Sequence, residues 1–224
     1  MRLALFDLDH TLIPFDSGMA WTQFLAGSGA LPESAEAEYL ACCRAYVAGT
    51  ADIHAMHRAL IAPLARFPRA LLAQWRREFE LRMASRVPTT MQQFVQRHLD
   101  DGDVCAIVTA TSRLIAEPFA RLFGIEHLLA TEAATADGSP EDVLTGEIDG
   151  LPCWREHKVA RVAAWLAERQ PRLPSRLGDF ERSWFYADSA SDLPLLEAVS
   201  VPMAVRPDSG LRAHARCAGW AVIN

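Results

Sequence analysis

The chain has 224 residues, of which 50% are apolar and 22% charged, so it can bury one good-sized core, or a core with a smaller insertion. Its formal net charge of −6 argues against general binding to nucleic acid or to an anionic membrane, because both partners favour a basic surface. The 5 cysteines form no C-x-x-C pair, acids interrupt the N-terminal segment, and no apolar run is long enough to span a membrane. We therefore expect a soluble, cytoplasmic protein with reduced thiols.

The first part of the chain is predicted to form a short strand followed by a long helical segment. Residues 3–6 are apolar and stop abruptly at acids, which is typical of a buried strand in a parallel sheet. Over residues 15–88, large apolar residues recur at helical spacing, and prolines divide the segment into about four or five helices. We assign residues 15–88 to an inserted helical cap subdomain, and residues 1–14 and 89–224 to an α/β catalytic core.

After residue 89 the pattern changes to helices that alternate with short apolar strands. Helices are predicted over residues 91–99, 115–123, 158–170 and 193–199, and strands over residues 104–108, 128–131, 184–187, 201–205 and 220–223. Residues 143–153 contain Thr-Gly and Asp-Gly pairs and are predicted to form a small hairpin. The alternation indicates an α/β fold with a doubly wound parallel sheet.

Polar residues suited to phosphate chemistry follow several of these strands. They are Asp7 and Asp9 after the first strand, Thr109 and Ala110 after the second, Lys158 at the start of a helix, and Asp188 and Asp192 after a later strand. Ligands of open α/β folds gather at the carboxyl ends of the strands, so these segments are expected to meet in one crevice.

The chemistry of these side chains fits phosphoryl transfer. Asp7 and Asp9 point the same way if the chain between them is extended, and a divalent cation would hold at least one of them ionised. Asp188 would add a further oxygen ligand of the kind that Mg²⁺ prefers, and Asp192 would orient the metal waters or Lys158. Asp9 is also placed to protonate a leaving oxygen and later to activate water. A hydroxyl donor at Thr109, the Lys158 cation and the backbone amide of Ala110 would hold the phosphoryl oxygens.

The segment from Asp7 to Leu12 reads D-L-D-H-T-L and resembles the first motif of the haloacid dehalogenase superfamily, D-x-D-x-T-[LV]. Residues similar to its second, third and fourth motifs follow in the right order: Thr109, Lys158, and Asp188 with Asp192. The helical insertion matches the type-1 cap of this superfamily, and the resemblance is closest to its phosphoserine-phosphatase-like branch. It implies a phosphomonoesterase for a small phosphorylated metabolite, with Asp7 as nucleophile and Asp9 as acid and base. It also implies Mg²⁺ held by Asp7, the Asp9 backbone carbonyl and Asp188.

Two cap residues bear on the substrate. Phosphoserine phosphatases carry a glutamate shortly after the first motif and a cap arginine that holds the substrate carboxylate. Asp16 and Arg58 stand at comparable places, so the resemblance implies that both contact the substrate. The fourth motif departs from the branch, since Ala187 replaces a glycine and Ser191 an asparagine. The resemblance implies phosphoserine or a related amino-acid or alcohol phosphate as substrate, and the departures in the fourth motif leave a different phosphomonoester open.

Several of these residues also have an ordinary structural interpretation. Thr109 and Thr111 can be interpreted as hydroxyls that satisfy turn amides, and Thr111 or Ser112 as the cap of the following helix; for Thr111 this ordinary interpretation is preferred. His54 and His57 lie in the cap without a paired set of metal ligands, so they are interpreted as surface or cleft residues. For Arg58, a plain surface position is nearly as well supported as a contact with substrate.

Two other functions are compatible with a phospho-aspartate. A phosphotransferase would pass the phosphoryl group to a second metabolite instead of water, and a screen of hydroxyl acceptors would distinguish it. A signalling receiver module also combines acids, a hydroxyl and a lysine. However, it carries its aspartate in mid-chain within a domain of roughly 120 residues, which does not fit an acid that ends the first strand.

Overall fold

A computed structural model of the chain describes residues 1–139 and 142–224. Its strands are β1 (Arg2–Phe6), β2 (Val104–Ser112), β3 (His127–Thr131), β4 (Ala133–Thr135), β5 (Leu144–Ile148), β6 (Arg182–Ala187), β7 (Val201–Val205) and β8 (Ala221–Ile223). Its helices are α1 (Ser17–Gly27), α2 (Ala35–Val47), α3 (Ile53–Ile61), α4 (Arg69–Met83), α5 (Thr89–Asp100), α6 (Arg113–Leu122), α7 (Glu156–Ala167), α8 (Leu193–Ala198) and α9 (Ser209–Ala218).

The main sheet has six parallel strands in the order β3-β2-β1-β6-β7-β8. From β1 the chain first builds outward through β2 and β3, and later returns to add β6, β7 and β8 on the other side. The order of the strands therefore reverses between β1 and β6, which is where open α/β sheets bind their ligands. The predicted doubly wound sheet is confirmed.

Strand β1 is apolar throughout because both faces of the sheet are covered. Leu3 and Leu5 belong to one hydrophobic cluster, and Ala4 and Phe6 belong to another, as the alternation of side chains along a strand requires. Helices α7, α8 and α9 cover the first face, and the helices that precede and follow β2 cover the second. A central strand that is buried on both faces is rigid. It therefore fixes the position of the residues that come directly after it.

The helical segment between β1 and α5 packs on the α/β core through aromatic rings. Trp21 and Phe24 of α1 contact Phe79 of α4, with ring centroids 5.1 and 5.6 Å apart. Phe79 in turn lies 5.7 Å from Phe119 of α6, edge to face. These rings share one hydrophobic cluster with β1 and β2, so α1 and α4 are anchored to the core. The division into core and cap at residues 14/15 and 88/89 stays a prediction.

The hairpin lies earlier in the chain than the sequence suggested. Its antiparallel strands are β4 and β5, whereas the prediction placed the whole hairpin within residues 143–153. The ribbon packs against the end of α3, where Gly146 has a φ of +88° and a Cβ at this position would come within 2.7 Å of the Ala62 Cβ. Glycine is therefore required both by the backbone angle and by the close approach.

Across the described residues, no helix combines the length and the apolar character that a bilayer crossing requires.

Candidate active site

A buried lysine joins two of the predicted acids at the carboxyl edge of the sheet. Lys158 Nζ lies 2.9 Å from Asp7 Oδ1 and 2.7 Å from Asp192 Oδ1, and the lysine is only 2% exposed. Burial by itself would lower the pKa of Lys158, but the carboxylates of Asp192 and Asp7 outweigh it and hold the pKa above its ordinary value. Lys158 is therefore charged, and it fixes the position of Asp7 directly after β1.

Asp188 completes a group of three carboxylates with Asp7 and Asp192. One oxygen from each lies within 4.8 Å of the others. Burial and the charges of Asp7 and Asp192 raise the pKa of Asp188 to about 8, and burial raises that of Asp192 to about 6 against the opposing effect of Lys158. One lysine does not balance three crowded acids. A small divalent cation with oxygen ligands would supply the missing charge, so these residues fit Mg²⁺.

The carboxylate of Asp9 is held apart from this group by two hydrogen bonds. Its Oδ1 accepts from the backbone N–H of Ser17 at 2.6 Å, at the first turn of α1, and its Oδ2 accepts from the Thr111 hydroxyl at 2.5 Å. Burial, with a contribution from the charge of Asp16, raises the pKa of Asp9 to about 7. A carboxyl group with such a pKa can give a proton and take one back near neutral pH, as an acid and base must.

The end of β2 supplies hydroxyl and amide groups beside the same crevice. Thr109 is buried, and its Oγ1 accepts a hydrogen bond from the backbone N–H of Thr111 at 3.2 Å, so its own proton is available to a ligand. Ser112 precedes α6 as its N-cap residue, but its side chain makes no capping hydrogen bond. Thr109 thus does satisfy a turn amide. The ordinary interpretation of Thr111, and that of Ser112 as a cap, is wrong: Thr111 donates to Asp9 instead.

Arg206, which directly follows β7, holds the loop that follows β1. Arg206 Nη2 donates to the carbonyl oxygens of His10 at 2.9 Å and Thr11 at 2.7 Å. His10 has a φ of +56°, a backbone angle that is uncommon outside glycine, so the loop needs such support. The Thr11 hydroxyl in turn donates to Asp188 Oδ1 at 3.4 Å, which ties the loop to the acidic group.

A cavity of about 150 Å³ opens between Asp9, Asp16, the end of β2 and helices α2 and α3. Asp16 lines it and also caps α1, because its Oδ1 accepts from the backbone N–H of Met19 at 2.6 Å and from the Tyr39 hydroxyl at 3.1 Å. Gly18 makes room for this tyrosine, since a Cβ there would lie 2.4 Å from the Tyr39 hydroxyl oxygen. Among the described lining residues there are two carboxylates and no lysine or arginine.

Of the two cap residues predicted to contact the substrate, Arg58 is the one that the structure does not bring to this cavity. Its guanidinium pairs with both carboxylate oxygens of Glu147 in β5, at 2.8 and 2.9 Å, and about half of its side chain is exposed. Its neighbour His57 lines the cavity instead and is only 4% exposed. The two residues differ by one helical step, so they face different sides of α3.

Sequence reasoning missed Ser17, Thr111 and His57, and it underused one signal. Lys158 is the only lysine in a chain with 21 arginines, and it lies at the centre of the site. Its rarity in the sequence was a sign that this position requires a lysine. Arginine cannot replace it there, because a compact ammonium fits between two close carboxylates where a planar guanidinium does not. Nothing in the sequence distinguishes Ser17, Thr111 and His57 in this way, because hydroxyls and histidines are common in loops and helices.

Comparisons with known proteins bear on the family. The model of the haloacid dehalogenase-like hydrolases matches residues 4–197. A protein from Neisseria meningitidis named histidinol-phosphatase is 38% identical, over 100% of this chain and 98% of its own length. A solved structure of a Bordetella pertussis protein with unknown function is 42% identical, with a TM-score of 0.89 over 100% of this chain and 98% of that one. A substrate-bound phosphoserine phosphatase shares the fold, with a TM-score of 0.64 and 17% identity over 99% of this chain and 91% of that one.

Proposed function

The chain belongs to the haloacid dehalogenase-like hydrolases and is a phosphatase of that family, and we propose that it is a Mg²⁺-dependent phosphomonoesterase that forms a phospho-aspartate on Asp7. The observation that carries the proposal is the position of Asp7. It follows a rigid central strand, it is held by Lys158 at 2.9 Å, and it lies within 4.8 Å of oxygens of Asp188 and Asp192. These are the parts that phosphoryl transfer requires: a fixed nucleophile, a cation and a metal site.

In the first step, Asp7 attacks phosphorus in line with the departing alcohol. Lys158 and the Thr109 hydroxyl are placed to hold phosphoryl oxygens, and Lys158 also keeps the nucleophile in position. Asp7, Asp188 and the Asp9 backbone carbonyl would hold Mg²⁺, which supplies charge neutralisation for the phosphoryl oxygens when it is bound. Asp192 orients Lys158 through the 2.7 Å contact.

Asp9 donates a proton in the first step and accepts one in the second. It lines the cavity in which the alcohol would lie, and its raised pKa lets it carry a proton to the departing oxygen. The resulting carboxylate then takes a proton from the water that attacks the phospho-aspartate. The hydrogen bonds from Ser17 and Thr111 keep its direction fixed through both steps.

The cavity favours an alcohol that carries a positive charge. Its described lining contains Asp9 and Asp16 but no cation that could pair with a substrate carboxylate, and Arg58 is engaged with Glu147 outside it. An ammonium group complements such a pocket, whereas a carboxylate would be repelled. With the 38% identical relative named histidinol-phosphatase, this makes the phosphate ester of a small amino alcohol the proposed substrate, and histidinol phosphate the first candidate.

A substrate comparison tests both parts of the proposal. Phosphate release is measured with Mg²⁺ on L-histidinol phosphate, L-phosphoserine and p-nitrophenyl phosphate, with Asp7→Asn as the blank. We expect kcat/KM for L-histidinol phosphate to exceed that for L-phosphoserine by at least about 10-fold, since the phosphoserine carboxylate has no partner. A preference for L-phosphoserine would refute the substrate class. No release from any of the three esters would refute the phosphomonoesterase itself.

A further inference from the structure

A second and larger cleft borders the acid-bearing segment between β6 and α8. It has a volume of about 600 Å³ and lies between the end of α2, with the loop that follows it, and two loops of the α/β core. On the core side it is lined by Trp154 and Arg155, just before α7, and by residues 189–191. Tyr46 lines both this cleft and the cavity beside Asp9. The two spaces are therefore neighbours, and both reach the candidate active site.

The side chain of Arg155 lies on an aromatic surface in this cleft. Its guanidinium carbon is 4.1 Å from the centroid of the Trp154 ring, and the residue is exposed. This cation–π contact fixes the guanidinium, but no described residue accepts a hydrogen bond from it or forms an ion pair with it. Asp52, the carboxylate among the described lining residues, accepts from the backbone N–H of Ala55 at 2.8 Å and caps α3. Arg155 therefore keeps its donors for a ligand.

The backbone holds Arg155 in a conformation that favours glycine. The N–H of His157 donates to the carbonyl oxygen of Trp154 at 3.0 Å and closes a tight turn, in which Arg155 occupies the second position with a φ of +49°. Turns with a positive φ at this position favour glycine, because a Cβ makes the conformation costly. The N–H of Lys158 donates to the carbonyl oxygen of Arg155 at 3.0 Å, so the strained residue lies directly before the buried lysine. An arginine at such a position indicates a role for its side chain.

The charge of Arg155 matters because its surroundings would repel a phosphate ester. A phosphate monoester carries nearly two negative charges near neutral pH, since its second pKa is about 6. The chain has a formal net charge of −6, and three carboxylates face one lysine at the candidate active site. Among the described residues that line the cleft or the cavity beside Asp9, Arg155 is the one arginine or lysine. It is therefore the cation in these two spaces that can attract an incoming dianion.

We infer that this cleft is an entry site for phosphate anions, in which Arg155, held on Trp154, attracts the phosphate group of the ester on its way to Lys158. The inference rests on the proposed phosphomonoesterase activity. A further donor lines the same cleft, because Ser189 Oγ accepts from the backbone N–H of Ser191 at 3.2 Å and keeps its own proton for a ligand. Since the entry site recognises the phosphate and not the alcohol, it should act on every monoester alike.

Steady-state kinetics of Arg155 variants at two ionic strengths test this role. Arg155→Gln removes the charge, Arg155→Lys retains it, and Arg155→Gly removes the side chain and relieves the backbone. Arg216→Gln is the matched control, because it changes the net charge equally at an exposed residue of α9 that lines neither space. Each variant is assayed with Mg²⁺ on L-histidinol phosphate and p-nitrophenyl phosphate at ionic strengths of about 20 and about 500 mM, where charges are screened over about 20 and about 4 Å. The melting temperature of each variant is measured in parallel.

We expect Arg155→Gln and Arg155→Gly to lower kcat/KM about fivefold for both esters at the lower ionic strength, as one exposed charge acting on a dianion would, and less than about twofold at the higher. Arg155→Lys and Arg216→Gln should stay within about twofold of the wild type, and Arg155→Gly should melt no lower than the wild type.

Three results would overturn the entry site while leaving the phosphatase intact. They are no loss in Arg155→Gln, an equal loss in Arg155→Lys, and a loss that is the same at both ionic strengths and accompanies a lower melting temperature in Arg155→Gly. The last of these would assign the side chain to the stability of the fold. A wild-type protein that hydrolyses neither ester would overturn the proposed function, and this inference with it.

Discussion

The hydroxyl of Thr111 donates to the carboxylate of Asp9 over 2.5 Å, and this contact joins the end of β2 to the loop that follows β1. It turns Asp9 away from the acids at Asp7, Asp188 and Asp192. Two aspartates that are only two residues apart are thereby given different surroundings. Asp7 lies beside a lysine and two further carboxylates, whereas Asp9 is held by neutral donors and has a raised pKa.

Loss of this hydroxyl should impair proton transfer more than binding. Thr111→Val keeps the shape of the side chain and removes the donor to Asp9. We expect kcat for an alkyl phosphate to fall about 10- to 100-fold, because Asp9 must protonate a poor leaving group. For p-nitrophenyl phosphate the fall should be much smaller, since nitrophenolate leaves without a proton. Thr111→Ser, which retains the hydroxyl, is the control; equal losses on both esters would contradict this role.

Replacement of Asp7, the proposed nucleophile, should abolish turnover without unfolding the protein. Asp7→Asn retains the size of the side chain and its contact with Lys158 but lacks a nucleophilic carboxylate. Phosphate release should fall at least about 1,000-fold, while circular dichroism and the melting temperature stay close to wild type. The exposed Asp100→Asn serves as control. Retained activity in purified Asp7→Asn would remove Asp7 from the mechanism.

Magnesium should stabilise the fold through Asp188, and this can be read without any substrate. Binding at about 100 times the dissociation constant adds about 2.7 kcal/mol of stability. In a chain of 224 residues this corresponds to a rise in melting temperature of roughly 5–10 °C. Differential scanning fluorimetry with EDTA and with Mg²⁺ should show the rise in the wild type and lose it in Asp188→Asn. A rise of the same size in Asp188→Asn would place the metal elsewhere.

Removal of the buried lysine should harm both stability and catalysis. In Lys158→Met, Asp7 and Asp192 lose the cation that lies within 2.9 Å of each. Breaking such a buried pair costs about 3–5 kcal/mol in free energy of unfolding, which urea denaturation measures. Addition of Mg²⁺ should restore part of the stability but not the activity. Near-wild-type stability in metal-free Lys158→Met would show that the two acids do not need the lysine.

The depressed pKa of His57 predicts a specific loss of stability in acid. An unfolded histidine has a pKa of about 6.5, and burial lowers the folded value to about 4. As the pH falls through this range, His57 binds a proton in the unfolded chain but not in the folded chain, so the folded state loses stability. Between about pH 7.5 and about pH 5, protonation of the unfolded histidine lowers the free energy of unfolding by about 2 kcal/mol. Urea denaturation of His57→Gln should lack this part of the acid loss, whereas His54→Gln should retain it.

The sequence predicted the grouping of the acids with the lysine better than it predicted the pocket beside them. Asp7, Lys158, Asp188 and Asp192 lie far apart in the chain, yet each follows or precedes an apolar run, and parallel strands bring their carboxyl ends to one edge. Motif spacing and sheet geometry together were enough to predict this grouping. The resemblance to the first motif of the superfamily then distinguished Asp7 from Asp9.

The pocket was less predictable because one helical step separates its residues from the surface. His57 and Arg58 are adjacent in sequence, and about 100° of rotation around α3 puts one inside and the other outside. Which one faces inward depends on how the hairpin at Glu147 and Gly146 packs on the helix, and the sequence misplaced that hairpin. Contacts between segments 89 residues apart in the chain therefore set this part of the site.

The single lysine gives the protein an unusual proteolytic property. Endoproteinase Lys-C cleaves after lysine, and the bond that follows Lys158 is the one bond in this chain that it recognises. That lysine is 2% exposed and paired with two carboxylates, so the native fold conceals the cleavage site. The appearance of two fragments over time would therefore report how often the structure around Lys158 opens, and ligands that bind beside Lys158 should slow the cleavage.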